Sequence, residues 1–170
     1  GVGAHAPGEL AVAVGAVANG IGDYSTSVGT QSAAVGTSSV AVGGPFDLIP
    51  GLGLFVDTQA LGDNSAAFGA GAIAGGDYSV SVGAISEAGG PGSTAVGNWA
   101  YASAANASAL GGESWATGND STAVGFYSSA YGEASLAAGA ESVASGDLSV
   151  AVGAQGVADG FGATAVGAES

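Results

Sequence analysis

The sequence contains no cysteine, no lysine and no arginine among its 170 residues, and it has a single histidine. Without cysteine the chain has no disulfide, no thiolate metal site and no cysteine nucleophile. Without a basic side chain it cannot neutralise a phosphate backbone, which excludes nucleic-acid binding and argues against anionic membrane surfaces as partners. The formal net charge is −14, so we expect protein partners with basic patches.

Long apolar runs are also absent, although apolar residues make up 47% of the chain. No run reaches the roughly 20 apolar residues that a membrane helix needs. The start lacks the methionine and basic segment of an intact secretory signal. Both ends fall inside the repeat described next, so we interpret the sequence as part of a longer chain.

Glycine recurs at every seventh residue from Gly1 to Gly43 and from Gly62 to Gly167, with Ala104 as one substitution. When this glycine is numbered position 7, position 5 is alanine in 14 of the 15 units between residues 63 and 167. Position 3 is serine in ten of those units. Small residues at i, i+2 and i+4 have the period of a strand, whereas repeated glycine would destabilise a helix. Each unit is therefore predicted to be a short strand closed by a glycine turn.

The full period is 14 residues, because from residue 63 onward position 6 is apolar in alternate units only; nearer the N-terminus Ile21 and Val35 weaken this contrast. We call these units A strands and the intervening ones B strands; residues 121–125 contain a typical A strand. Side chains alternate along a strand, so positions 3, 5 and 7 should line a narrow coil while positions 4 and 6 point outward. Successive coils should stack at about 4.8 Å, and the buried serine hydroxyls should bond backbone groups or each other.

Position 6 of the A strands is predicted to form an exposed apolar row, and a row of this length indicates an interface between chains. The predicted interface residues are Val28, Val42, Val82, Val96, Leu110, Val124, Val152 and Val166. Position 6 of the B strands is mostly polar, as contact with solvent requires. Three aromatic residues on the B side, Tyr101, Trp115 and Tyr131, are candidate ligand contacts. They could instead pack along the coil or onto a neighbouring subunit.

The unit Ser39-Val40-Ala41-Val42-Gly43, which recurs at residues 149–153, resembles the head repeat of trimeric autotransporter adhesins, the YadA-like heads. The resemblance covers residues 1–43 and 62–170. It implies an all-β fold, a left-handed parallel β-roll solenoid with 14-residue turns, assembled as a homotrimer around one axis. It also implies display on a bacterial cell surface, tethered to the outer membrane by an anchor outside this segment.

One stretch departs from the repeat within what we take to be a single head domain, residues 1–170. Residues 44–61 contain 12 more residues than the register allows, and many of them are apolar. This insertion is predicted to leave the roll as a loop. Its apolar side chains should either clasp a neighbouring subunit or contact a ligand.

Residues for catalysis or metal binding are sparse and separated. His5 has no second histidine or cysteine as a partner, so we predict an ordinary solvated side chain. Four aspartates recur at turn position 1, Asp23, Asp63, Asp77 and Asp147, where turn hydrogen bonding explains them better than catalysis. A calcium β-roll would need a nine-residue period with aspartate in a fixed column. We therefore predict no catalytic site, no metal and no cofactor.

These observations favour a non-enzymatic surface adhesin that attaches a bacterium to host cells or extracellular matrix. The alternative is a structural spacer that projects other heads and binds no ligand itself. An ice-binding solenoid would need a regular outward threonine array, and a silk-like fibre lacks the 14-residue alternation of polar and apolar strands. An enzyme is the class that the sequence supports least.

Overall fold

The computed structural model describes all 170 residues, which form 23 short strands in three sheets. Eleven A strands form one parallel sheet, the A sheet: β1 Val12–Val14, β3 Thr26–Val28, β5 Val40–Val42, β9 Ala66–Phe68, β11 Val80–Val82, β13 Thr94–Val96, β15 Ser108–Leu110, β17 Thr122–Val124, β19 Leu136–Ala138, β21 Val150–Val152 and β23 Thr164–Val166.

Ten B strands form the second parallel sheet, the B sheet: β2 Asn19–Gly20, β4 Ala33–Ala34, β8 Gln59–Ala60, β10 Ile73–Ala74, β12 Glu87–Ala88, β14 Tyr101–Ala102, β16 Trp115–Ala116, β18 Ser129–Ala130, β20 Val143–Ala144 and β22 Val157–Ala158. The third sheet is the antiparallel pair β6 Phe46–Ile49 and β7 Leu54–Val56. No helix long and apolar enough to cross a bilayer occurs in the structure.

Each strand pairs with the equivalent strand one coil away, which confirms the predicted 14-residue period. Val124, for example, lies opposite Leu110 in the A sheet, and Trp115 lies opposite Tyr101 in the B sheet. The register continues across the insertion, since Phe68 pairs with Val42. The chain is thus a parallel β-solenoid of about 11 coils, held by 122 backbone hydrogen bonds.

The lumen of the coil is lined by the small columns, as the sequence predicts. All of the buried apolar residues are alanines, and Ala123 is completely inaccessible to solvent. Ser81, the exception in the alanine column, is accommodated because its hydroxyl bonds that of Ser86 across the lumen at 2.7 Å. Nothing larger than the buried Thr58 fits inside.

The expectation for the buried serine hydroxyls is confirmed on the B side and, on the A side, for Ser65 and Ser135. Ser114, for instance, donates to the carbonyl oxygen of Gly111 at 2.9 Å. Six hydroxyls that precede A strands have no partner, so the prediction is wrong for Ser25, Ser39, Ser79, Ser93, Ser121 and Ser149. Ser65, in the same column, reaches the Gly62 oxygen at 2.6 Å. A rotation about χ1 is therefore enough to pair the other six.

The turns stack through the aspartates at position 1. Oδ1 of Asp23, Asp63, Asp77 and Asp147 each accepts the backbone N–H of the position-1 residue one coil earlier, at 2.7–2.9 Å. This confirms turn hydrogen bonding as their role. The glycine column is required by the close approach of successive coils: a Cβ on Gly132 would overlap the carbonyl oxygen of Gly146.

The insertion differs from the predicted loop in its secondary structure and in the residue at which it ends. It is a β-hairpin in which Phe46 pairs with Val56 and Ile49 pairs with Leu54. Thr58 and Ala60 are buried and belong to the coil, so the segment that leaves the roll is residues 44–57 and not 44–61. The chain re-enters at Thr58 because this hydroxyl fills the serine column.

Candidate functional site

The apolar row predicted from position 6 is a straight stripe on the outside of the A sheet. Strand register aligns one side chain from each coil, and we call this set the apolar stripe: Val14, Val28, Val42, Phe68, Val82, Val96, Leu110, Val124, Ala138, Val152 and Val166. The eight residues predicted from the sequence all lie in it. In the single chain, Val82, Val96 and Val124 remain 36–39% exposed.

The base of the hairpin lies at the turn that follows this stripe. Thr58 Oγ1 lies 2.6 Å from the carbonyl oxygen of Gly69 and 3.0 Å from that of Gly44, and it donates to one of them at a time. A Cβ on Gly71 would come within 3.0 Å of Phe46 Cβ. Glycine at that position therefore lets the hairpin lie against the next coil.

The far end of the hairpin is apolar and exposed. Between 41% and 66% of the surface of each of five side chains is accessible: Leu48, Ile49, Leu52, Leu54 and Phe55. Few soluble surfaces concentrate so many exposed apolar side chains without a partner. The hairpin is thus a second candidate contact surface, beside the turns that follow the apolar stripe.

The B sheet carries a shallow cavity of about 320 Å³ that we call the aromatic hollow, lined by Ile85, Glu87, Trp99, Ala100, Tyr101 and Trp115. The rings of Tyr101 and Trp115 meet at a centroid distance of 5.6 Å with a tilt of 55°. The structure therefore brings together two of the three aromatics predicted from the sequence. Tyr131 is exposed but lies outside the hollow, because it belongs to position 6 rather than position 4.

Sequence reasoning did not include Ile85 and Glu87 among the candidate residues. The signal was present in their spacing: Ile85 precedes Trp99 by 14 residues, and Glu87 precedes Tyr101 by the same interval. Residues that recur every 14 positions stack on one another in a parallel solenoid, so these two pairs form two adjacent ladders. Trp99 stands in a turn at φ 58°, next to the strand that carries Tyr101.

The remaining titratable groups are dispersed. His5 is exposed in the first coil and bridges Asn19 in parallel register. Tyr127, in the turn two coils beyond Trp99, has a pKa raised above its usual value, mainly by a hydrogen bond with Glu113, with desolvation and the negative charge of Glu113 adding to it. No three His, Cys, Asp or Glu side chains lie close enough together to hold a metal ion.

A parallel β-solenoid with a lumen of alanine and serine and one apolar outer sheet is a repeat protein whose outer columns carry its contacts. The family model of the YadA head domain repeat matches residues 21–44, 60–86, 88–114, 102–128, 116–142 and 130–155. These matches span well over half of the chain. The chain belongs to this family of adhesin head repeats, and is a head segment of a bacterial surface adhesin.

Among solved structures, the chain is similar to the collagen-binding domain of the Yersinia adhesin YadA, with 28% sequence identity and a TM-score of 0.44. The likeness covers 99% of this chain and 73% of that one. No curated protein sequence gives a significant match.

Proposed function

We propose that this chain is a non-enzymatic adhesive head that holds a bacterium to host cells or extracellular matrix through many weak contacts. The observation that carries the proposal is the two-sided coil. One sheet bears a continuous apolar stripe suited to self-association, while the other bears an aromatic hollow, in a chain of net charge −14. Adhesion needs such an exposed, repeated surface and needs no catalytic group.

The stripe supports a homotrimer in which three A sheets face a common axis. Val28, Val42, Val82, Val96, Leu110, Val124, Val152 and Val166 would then meet their counterparts. Such an object is a rod about 50 Å long, from about 11 coils at 4.8 Å each. Three chains of net charge −14 give a formal charge of about −42, so apolar contact must outweigh a considerable repulsion.

The hairpin adjoins the stripe, and we infer that it packs on the neighbouring chain of the trimer. Leu52 and Phe55 at its exposed end would be covered there, which removes them from water. The roll's own lumen cannot accept them because it admits only small side chains. A hairpin that binds a ligand instead is the alternative, and deletion distinguishes the two.

We infer no catalytic role for the recurring aspartates, because they already have a structural task. The turn aspartates accept backbone N–H groups, and no nucleophile–base pair lies in the hollow. We infer attachment to the outer membrane through an anchor outside these 170 residues. Many copies per cell, each with three heads, would convert modest affinity into firm attachment.

The test is retention of beads coated with the purified chain on surfaces bearing collagen, other matrix proteins or host cells. Retention should fall as salt rises, because an acidic surface attracts basic partners electrostatically. Trp115→Ala should reduce retention, whereas Ser129→Ala, one coil away in the same outward column, should not. Absence of retention on every surface would leave the chain as a spacer that projects other heads.

A further inference from the structure

The aromatic hollow combines aromatic rings with an acidic side chain. Trp99, Tyr101 and Trp115 line one shallow cavity, and Glu87 is the one charged residue of the lining, its Oε1 3.7 Å from where a Cβ on Gly89 would stand. Ile85 closes the side towards the hairpin, where its Cδ1 approaches Gly71. A cavity of about 320 Å³ is at the small end of binding sites, the size for one side chain rather than a large ligand.

The charges of the chain leave this carboxylate without an internal counter-ion. No lysine or arginine exists anywhere in the sequence, so Glu87 cannot form an ion pair with either inside its own chain. The aromatic faces carry negative electrostatic potential as well. The hollow is therefore a concave, electron-rich site in a molecule with 14 acidic residues and no strong cation.

We propose that the aromatic hollow binds a cationic side chain of a partner protein, an arginine in the first instance. A planar guanidinium stacks on indole and phenol rings and can at the same time donate to a carboxylate at their edge. Lysine offers only a compact, strongly hydrated charge, so it should bind more weakly. The hollow then selects partners that present arginine in an exposed, flexible segment.

This inference deepens the proposed adhesive function, because it names the chemistry that the head recognises, and it rests on that function for the biological setting. An oligosaccharide stacked on the rings is the competing occupant. The carboxylate of Glu87 and the net charge of −14 favour a cation. A neutral sugar gains from the rings alone and nothing from the charge.

The two tryptophans of the chain, Trp99 and Trp115, both line the hollow. Tryptophan emission of the whole protein therefore reports on this one site. We would titrate the purified chain at low ionic strength with a short glycine–arginine peptide, its citrulline isostere, the lysine analogue and a neutral hexasaccharide. The arginine peptide should give a saturable change in emission, the lysine peptide a weaker one, and the two neutral ligands none.

Glu87→Gln should lower the affinity for the arginine peptide by about three- to tenfold, the size expected for a partly exposed charge interaction. The matched control is Glu133→Gln, which makes the same charge change at an exposed turn residue that does not line the hollow. Equal losses of affinity in the two variants would mean that only the net charge of the chain matters, and would overturn the proposal. So would an equal response to citrulline, a preference for the sugar, or no response to any ligand.

The peptide titration and the bead assay fail separately. Binding of the arginine peptide without retention on any surface would support the arginine site and refute the adhesive role. Retention that is unchanged in Glu87→Gln, with no peptide binding, would support adhesion and refute the arginine site.

Discussion

Replacing Val124 by aspartate places a carboxylate in the middle of the apolar stripe, between Leu110 and Ala138 of the adjacent coils. The chain itself already covers about six-tenths of this valine, which is 39% exposed. Full burial of such a side chain contributes about 1.5–3 kcal/mol, so closing the remaining surface in an assembly contributes about 0.6–1.2 kcal/mol. The stripe therefore works by repetition, not by any single contact.

Eight such positions supply about 5–10 kcal/mol of apolar contact per chain on the same scale. In a trimer the substitution occurs three times, so the lost contact alone amounts to about 2–4 kcal/mol. That corresponds to a loss of association of about one and a half to three orders of magnitude. Burying three carboxylates around one axis adds a further desolvation cost. We expect Val124→Asp to be folded and dissociated at micromolar concentration.

Sedimentation velocity and light scattering over a concentration series measure this, with far-UV circular dichroism to verify the fold. The matched control is Thr117→Asp at the same outward position of a B strand. Ser145 would be a poorer control, because its hydroxyl already bonds the Asp159 carboxylate and an aspartate there would be repelled. Equal association of the two variants, or an unsubstituted chain that is a folded monomer at micromolar concentration, would refute the assignment of the stripe.

Three further outcomes are expected. Ala123→Leu, in the closed lumen, should destabilise the chain to urea by about 1–3 kcal/mol or more, and Thr117→Leu by less than about 0.5 kcal/mol; equal effects would mean that the faces are reversed. Deleting residues 45–56 should preserve the coil by circular dichroism but lower the melting temperature of the assembly, and an unchanged melting temperature would indicate a ligand-binding hairpin. The Tyr127–Glu113 interaction raises the folded-state pKa, so its stabilisation is present below about pH 10 and is lost above it. Absorbance titration should show a late-ionising tyrosine that Tyr127→Phe removes.

The coil could be predicted from the sequence because two of its constraints are local. A residue that faces a narrow lumen must be small in every coil, and alternation along a strand then assigns the outward positions. Hence Ala123 inside and Val124 outside follow from their columns alone. The 14-residue pairing also follows, since the small columns and the apolar column repeat together at that interval.

The hairpin and the hollow depend on contacts that the columns do not encode. Antiparallel pairing of Phe46 with Val56 needs a bend at residues 50–53, and a run of apolar residues gives no sign of pairing. The re-entry at Thr58 depends on one hydroxyl filling a serine column. The hollow is built from two neighbouring columns, one in the turns and one in the strands. A search along the strand column finds Tyr101 and Trp115 but omits Ile85 and Trp99, which belong to the turn column.

An alanine lumen also gives a physical reason for the self-association proposed above. Leucine and valine release far more free energy on burial than alanine does, and here they are excluded from the interior. The backbone ladders fix the shape of the coil, yet each backbone hydrogen bond adds only about 1 kcal/mol net and opposes a similar cost in chain entropy. A rod of this composition would gain further stability where its large apolar side chains can go, which is between chains. The proposed self-association through Val124 and its column would thus follow from the narrow coil, and the B sheet, free of that task, would be left to vary its side chains for recognition.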